Sequence, residues 1–393
     1  MWIDLGNIVT EAWVIYEGKP DPRGNPPPAE LRREQFTFGD VDETEVLAEP
    51  IFGCWEANMT HALLRMPVDI CRLRGEERVV LGNAGVVRIL RAGDAVQSLA
   101  EGDLCIVYCN GIPDESGYPE KILGYDAPNT MGVLAKRLKL KANQVIPIPR
   151  NTSLSLQQWA AFSLRYITAW ANWQKAYGCW RLQFGDGEAV RPIVCGWGGG
   201  VSLAELLLAK SIGAETALIS SDPVRLEHIR QLGVCPIDRR QFESLSYDDD
   251  KYQSDSAYRE NYCAAEGRFL GIIKEVTRGE GVSIFLDYIG APVYRATLKA
   301  LAPRGVLTTA GWKMGMKTWD IRAIECMKWH THVYTHYALY SQGVAAMQFA
   351  ERGGWAPPLD GLEYSWEDIP ALAADYGAGK ISSYSPIFKI NPL

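Results

Sequence analysis

A chain of 393 residues exceeds what one ordinary core organises, so two domains are expected. Its 47% apolar and 22% charged residues are those of a folded globular protein, and a formal net charge of −7 denies it the basic face that a nucleic-acid partner needs. The nine cysteines are scattered without a CxxC pair, Cys105 and Cys109 lying nearest, which speaks for a reducing compartment and against a zinc cluster.

The opening MWIDLGNIVTEAWVIYEG carries acids where a secretory signal needs basic residues, and no run approaches the roughly 20 apolar residues of a membrane span. A cytoplasmic location with no membrane partner is expected. Residues 19–30, KPDPRGNPPPAE, read as a Pro-rich surface loop. From Phe36 to Pro149, short β-branched runs at 79–81, 86–90 and 104–108 are punctuated by Gly93-Asp94 and Gly102-Asp103, the pattern of a β-rich domain. The run Lys136-Arg137-Leu138-Lys139-Leu140-Lys141 alternates like a strand. It reads as a solvated strand face or as a grip for the phosphates of a carrier arm. From Gln157 the pattern turns helical. Residues 243–267 are acidic and Tyr-rich and read as a surface insertion between strand and helix. Strand-like runs return at 282–290 and 305–311, and Trp366 to Tyr376 reads as a helix. Strands alternating with helices imply a parallel, doubly wound sheet, so the fold class is α/β.

The most specific signal lies within that second part. Ile193 and Val194 meet a cluster of Gly196, Gly198, Gly199 and Gly200, followed by a helix-like run from Val201 and a second apolar run at Ala217-Leu218-Ile219. Strand, tight glycine turn, helix and strand let backbone N–H groups and a helix N-terminus receive a pyrophosphate. An NAD site places an acid about 20 residues past the glycines to hold the ribose 2′-OH. Here that position falls on Ser221, beside Ser220, and Arg225 follows a few residues on, suited to a 2′-phosphate. NADPH is the favoured cofactor. The competing reading makes Asp222 the ribose ligand and Arg225 a solvated helix residue.

With Gly102-Asp103 and Val107-Tyr108-Cys109-Asn110, Leu123 to Pro128, the glycine turn with Ser220-Ser221, and His332 to Tyr337, the whole chain resembles the medium-chain dehydrogenase/reductase superfamily. Within it the chain is similar to the crotonyl-CoA carboxylase/reductase group, which reduces 2-enoyl-CoA thioesters with NADPH. The resemblance implies a GroES-like β-rich catalytic domain over 1–160, to which 341–393 return, and a Rossmann domain over 161–340, with the active cleft between them. It also implies a homo-dimer or tetramer. Thr168, Asp287 and Gly311 fall in segments that the family places near nicotinamide and ribose. The zinc-binding members' ligand positions fall here on Trp55 and on Asn83 of Gly82-Asn83-Ala84, neither suited to zinc. A zinc-independent enzyme is expected, and hydride transfer to a polarised C=C fits it better than carbinol chemistry. Carboxylating members hold CO2 with an Asn, an aromatic–Glu pair and a late His. Tyr125-Asp126 matches the pair with a shorter acid, His336 matches the His, and the Asn is missing, with Trp55 in its register and Asn58 nearby.

Enoyl reduction needs hydride at the β-carbon, a stabilised enolate and an electrophile at the α-carbon. His336, at an expected strand end, suits proton donation, or is a structural hydrogen-bonder beside His330 and His332. Tyr125 could donate a proton and Asp126 orient His336, or both belong to a surface turn. Glu56 is either a buried acid with a raised pKa or a carboxylate in water. Asn83 reads as a turn residue that satisfies backbone groups. The expected function is NADPH-dependent reduction of an activated C=C bond in a CoA- or carrier-bound 2-enoyl thioester. The alternatives are carboxylation or cyclisation through the enolate, or an NADP-binding relative with no redox turnover.

Overall fold

The computed structural model describes residues 6–19, 26–185, 188, 190–315 and 317–393. The N-terminal reading and the Pro-rich loop therefore fall partly outside the described residues; of the loop, 26–30 form neither helix nor strand. Contacts gather the chain into two compact units, Met1–Ile167 with Leu339–Leu393, and Thr168–Ala338.

In the first unit, β-branched and alternating runs build two larger sheets, beside a two-stranded one of Asn110–Pro113 and Pro119–Ile122. Asn7–Tyr16 pairs antiparallel with Arg32–Gly39 and with Arg78–Val80. In the larger sheet Glu45–Cys54 is central. Gly85–Ala92 runs along one side of it, while Leu138–Lys141 and Ile387–Lys389 share the other, all antiparallel. The late strand Ile387–Lys389 thus joins strands some 300 residues earlier, and a Cβ on Gly53 would overlap the Phe388 ring. Trp55, Met59, Val87, Ile89 and Phe388 belong to the apolar core between these elements. The basic run turns Leu138 and Leu140 inward. Lys139 pairs with Glu45 at 3.0 Å, and the Lys136 ammonium lies 4.4 Å from the centre of the Trp366 ring, so these two cations have partners within the chain.

The second unit is an α/β sheet of six parallel strands among the described residues. They are β1 (Ile193–Trp197), β2 (Glu215–Ser220), β3 (Cys235–Asp238), β4 (Val282–Asp287), β5 (Leu301–Thr309) and β6 (Thr331–Tyr334), in the order β3-β2-β1-β4-β5-β6. All five residues of β1 are buried, as a central parallel strand covered on both faces requires. The order reverses between β1 and β4, the switch point at which doubly wound sheets bind nucleotides. Helices α1 (Leu156–Arg181), α2 (Gly200–Ser211), α3 (Pro223–Gln231), α4 (Ser256–Val276), α5 (Ala291–Ala300) and α6 (Arg322–Lys328) accompany the strands, α1 carrying the boundary between the units.

The surface insertion expected at 243–267 is a correction. The segment forms a short helix, Asp249–Ser254, and the first half of α4. Tyr262, Ala265, Glu266, Phe269 and Ile273 of α4 are buried, and Tyr262 and Phe269 join the core of the sheet. Their helical spacing is a packing stripe that the acidic flank concealed. No helix among the described residues is long and apolar enough to cross a membrane.

Candidate active site

The turn after β1 is built on Gly198. Its φ is +121°, and a Cβ there would stand 2.9 Å from Ser202 Oγ and 3.1 Å from Tyr288 Cβ, so glycine is required. Gly196 is buried within β1, and Gly199 caps α2, which starts at Gly200. The N–H groups of Gly200, Val201 and Ser202 therefore lack intrahelical acceptors. Ser202, standing where the motif has its last glycine, is buried and donates its hydroxyl to the Trp197 carbonyl at 2.7 Å. The result is a row of backbone donors at the positive end of a helix, fit for a pyrophosphate.

At the end of β2, Ser220 Oγ accepts from the Asp222 N–H at 3.2 Å, and Ser221 is exposed. Asp222 Oδ1 caps α3, taking the N–H groups of Val224 and Arg225 at 2.8 and 3.3 Å, with Pro223 opening the helix. That oxygen is engaged by the helix. Arg225, in the first turn of α3, is joined by two cations that the sequence reading does not single out. Arg239 follows β3 and Lys313 follows β5. Burial, and then the guanidinium charges of Arg225 and Arg239, hold the Lys313 ammonium below its usual range. Two guanidinium charges that act on one ammonium make a place that favours an anion.

Of the other residues expected near the cofactor, Thr168 is buried on α1. Asp287 ends β4 and accepts the N–H groups of Ile289 and Gly290 at 2.9 Å each, and burial pushes its carboxyl up to about 6. Gly311 lies against Tyr288, whose ring would touch a Cβ there at 3.4 Å. His336 lies two residues beyond β6, exposed, its ring stacked on Trp312 with centroids 5.7 Å apart.

The first unit holds Glu56, Tyr125 and Asp126. Glu56 is buried, with Arg165 Nε 3.1 Å from Oε2. The same guanidinium donates to the carbonyls of Trp55 at 2.7 Å and Tyr384 at 2.8 Å, so backbone fixes the cation. Burial pushes the Glu56 carboxyl up to about 7 against the pull of Arg165. Glu56 Oε1 is buried with no hydrogen-bond partner, as are Asn58 Oδ1 and both amide atoms of Asn83. Asn83 thus bonds to no backbone group of its turn, which corrects the expectation. The Cys54 N–H donates to the Ala84 carbonyl at 3.1 Å, continuing the ladder between Glu45–Cys54 and Gly85–Ala92 toward Asn83. Each unmet buried polar atom costs about 1–3 kcal/mol, a cost that a polar ligand or water relieves. Tyr125 is half-buried, its phenol pushed up to about 12 by burial and then by Asp126. Asp126 Oδ1 accepts the Ile122 N–H at 2.5 Å, closing its own turn.

The zinc-ligand register does not suit zinc. The Trp55 indole N–H donates to Thr60 Oγ1 at 3.0 Å, and an indole nitrogen has no lone pair to offer a metal. Asn83 offers an amide, and among the described residues no group of three His, Cys, Asp or Glu side chains could hold a metal ion.

No family model matches the chain. Over 300 residues it is 26% identical to a crotonyl-CoA reductase of Streptomyces collinus, covering 74% of this chain and 63% of that protein. The match therefore spans less than two thirds of that relative. A solved crotonyl-CoA carboxylase/reductase, AntE in complex with NADP, superposes with a TM-score of 0.78 at 20% identity, covering 97% of this chain and 94% of the other. The chain shares the fold of that protein. The 2-octenoyl-CoA carboxylase reductase CinF, solved with NADP and 2-octenoyl-CoA, matches with a TM-score of 0.76 at 17% identity, over 97% of this chain and 87% of that one. The chain is thus similar to crotonyl-CoA reductases and carboxylase/reductases. Arg165, Arg239 and Lys313 escaped the sequence reading. Only Arg165 left a trace there, as a lone charge in the apolar run Trp159 to Trp170.

Proposed function

We propose that the chain is an NADPH-dependent reductase of an activated carbon–carbon double bond, acting without zinc on a 2-enoyl thioester. One observation carries the reading. A glycine turn and a lysine ammonium acted on by the charges of Arg225 and Arg239 stand in the same chain as a metal-ligand register that the resemblance puts on Trp55 and Asn83. The likeness to crotonyl-CoA reductases supports the substrate class. Gly196, Gly198, Gly199, Gly200 and Val201 would hold the pyrophosphate, while Ser220, Ser221 and Arg225, joined by Arg239 and Lys313, would hold the 2′-phosphate. Bound NADPH supplies the hydride. The chain's own part is to receive the charge that develops on the thioester oxygen and to deliver a proton to the α-carbon. Glu56 suits the second task, since its carboxyl is pushed up to about 7 and has one oxygen without a partner. His336 is the second candidate donor.

The same proposal includes self-association as a dimer or tetramer. β6 is an edge strand, and the segment leading into it exposes Trp319 and Met327, 81% and 72% accessible.

The test follows NADPH absorbance with a panel of 2-enoyl-CoA thioesters, with and without bicarbonate. Oxidation with any of them supports the reductase. A carboxylated product formed only with bicarbonate would replace protonation by carboxylation as the fate of the enolate. Tight NADPH binding with no oxidation across the panel would overturn the reductase reading in favour of a non-redox role.

A further inference from the structure

The chemistry proposed above leaves one fully buried acid without a task. Glu205 lies on the second turn of α2, in the apolar run Leu203-Ala204-Glu205-Leu206. Its carboxyl accepts the Tyr288 hydroxyl, and Asn172 Nδ2 lies 3.2 and 3.3 Å from its two oxygens. Asn172 Nδ2 also donates to the Tyr288 oxygen at 2.8 Å. On its other side, Asn172 Oδ1 accepts Thr308 Oγ1 at 2.7 Å and Thr335 Oγ1 at 2.9 Å. Five side chains from α1, α2, the end of β4, β5 and the segment after β6 thus close on one point.

Tyr288 carries this network to the cofactor turn. Its Cβ is 3.1 Å from the place a Gly198 Cβ would take, and its ring is 3.4 Å from the corresponding place at Gly311. The backbone beside it is tied as well, since the Lys313 N–H donates to the Tyr288 carbonyl at 3.0 Å. Moving the ring would therefore disturb the glycine turn and the loop that bears Lys313.

We infer that Glu205 is a positioning residue of the dinucleotide site: as the neutral acid it holds Tyr288 beneath the Gly198 and Gly311 backbones, and its ionisation places an uncompensated charge in the helix that is to receive the pyrophosphate and weakens NADPH. The inference rests on the NADPH reading. Its physical basis is the surroundings of the carboxyl. Among the described residues, the groups that act on Glu205 are the Tyr288 phenol and the Asn172 amide, while Thr308 and Thr335 are neutral hydroxyls one bond further out. No cation is among them, so an ionised Glu205 is a buried charge met only by dipoles. It also stands in the helix whose N-terminus is to receive an anion. Burial pushes its carboxyl up to about 8, so the neutral form prevails at pH 7, and burial first, then Glu205, hold the Tyr288 phenol well above its ordinary range.

The experiment measures the NADPH Kd by fluorescence titration between pH 6 and pH 9 for the wild type, Glu205→Gln and Tyr288→Phe. When only the protonated form binds, the apparent Kd rises by the inverse of its fraction. The wild type should hold its affinity to about pH 8 and be about tenfold weaker at pH 9. Glu205→Gln, which keeps one oxygen to accept the Tyr288 hydroxyl and cannot ionise, should retain the neutral-pH affinity throughout. Tyr288→Phe should bind more weakly at every pH and lose the wild-type rise, and it decides the matter should the Gln variant not fold. Lys313 and the 2′-phosphate titrate alike in all three proteins and cancel in the comparison. A rise in Kd parallel to the wild type in either variant overturns the inference and leaves the NADPH reading intact. A wild type that binds no NADPH at pH 7 overturns both.

Discussion

Glu56 and Glu205 are both buried, yet only Glu56 faces a cation. Their carboxyls keep their protons to about pH 7 and about pH 8 in the folded chain, against an ordinary 4.5. Folding therefore takes up protons between about pH 4.5 and 8, so this stability is full below that window and lost as pH rises through it. Each group contributes at most about 1.4 kcal/mol per pH unit. Chemical denaturation at pH 5 and pH 8 should show the wild type losing more stability than Glu205→Gln, and equal losses would mean that Glu205 ionises at an ordinary pH. For catalysis, a donor that must be protonated makes turnover fall as pH rises through about 7. Glu56→Gln should lower kcat about 100-fold with NADPH binding little changed. Full turnover in that variant would pass the donor role to His336. Arg225→Ala should weaken NADPH by about 10- to 100-fold and NADH little, as loss of one charged contact implies. Equal weakening of both would remove the 2′-phosphate from this place.

Among the elements, the glycine turn and α4 show opposite limits of sequence reading. The turn was legible because its conformational demand is local: Gly198 needs φ +121°, and no other residue meets it without strain. Gly198→Ala should fold but bind NADPH at least tenfold more weakly in the same fluorescence titration. Unchanged affinity would show that the turn yields without disturbing the pyrophosphate site. In α4, Tyr262, Phe269 and Ile273 carry the helical period, but Asp248 to Asp255 just before it suggested a loop. There composition outweighed periodicity, although the buried stripe fixes the packing. α3 lies between these cases. Asp222 followed by Pro223 is a legible helix start, and the cap it forms engages one of the oxygens that the ribose reading needed.

For the molecule as a whole, the strand order β3-β2-β1-β4-β5-β6 goes with the fold of solved carboxylase/reductases, at sequence identities that carry the fold alone. Self-association belongs to this scale too. Light scattering should report a mass above that of one chain, and Trp319→Ser with Met327→Ser should shift it toward the monomer. A monomeric wild type would remove the proposal. The sequence by itself determined the α/β class and the glycine turn, because each depends on residue identity within a short window. Only the tertiary structure brought Arg239 and Lys313 to Arg225, set Arg165 against Glu56, and closed Asn172, Glu205, Tyr288, Thr308 and Thr335 into one network. Those residues stand up to about 160 positions apart. Their meeting is fixed by the sheet that carries them, and an acid buried among neutral dipoles acquires its chemistry from that burial.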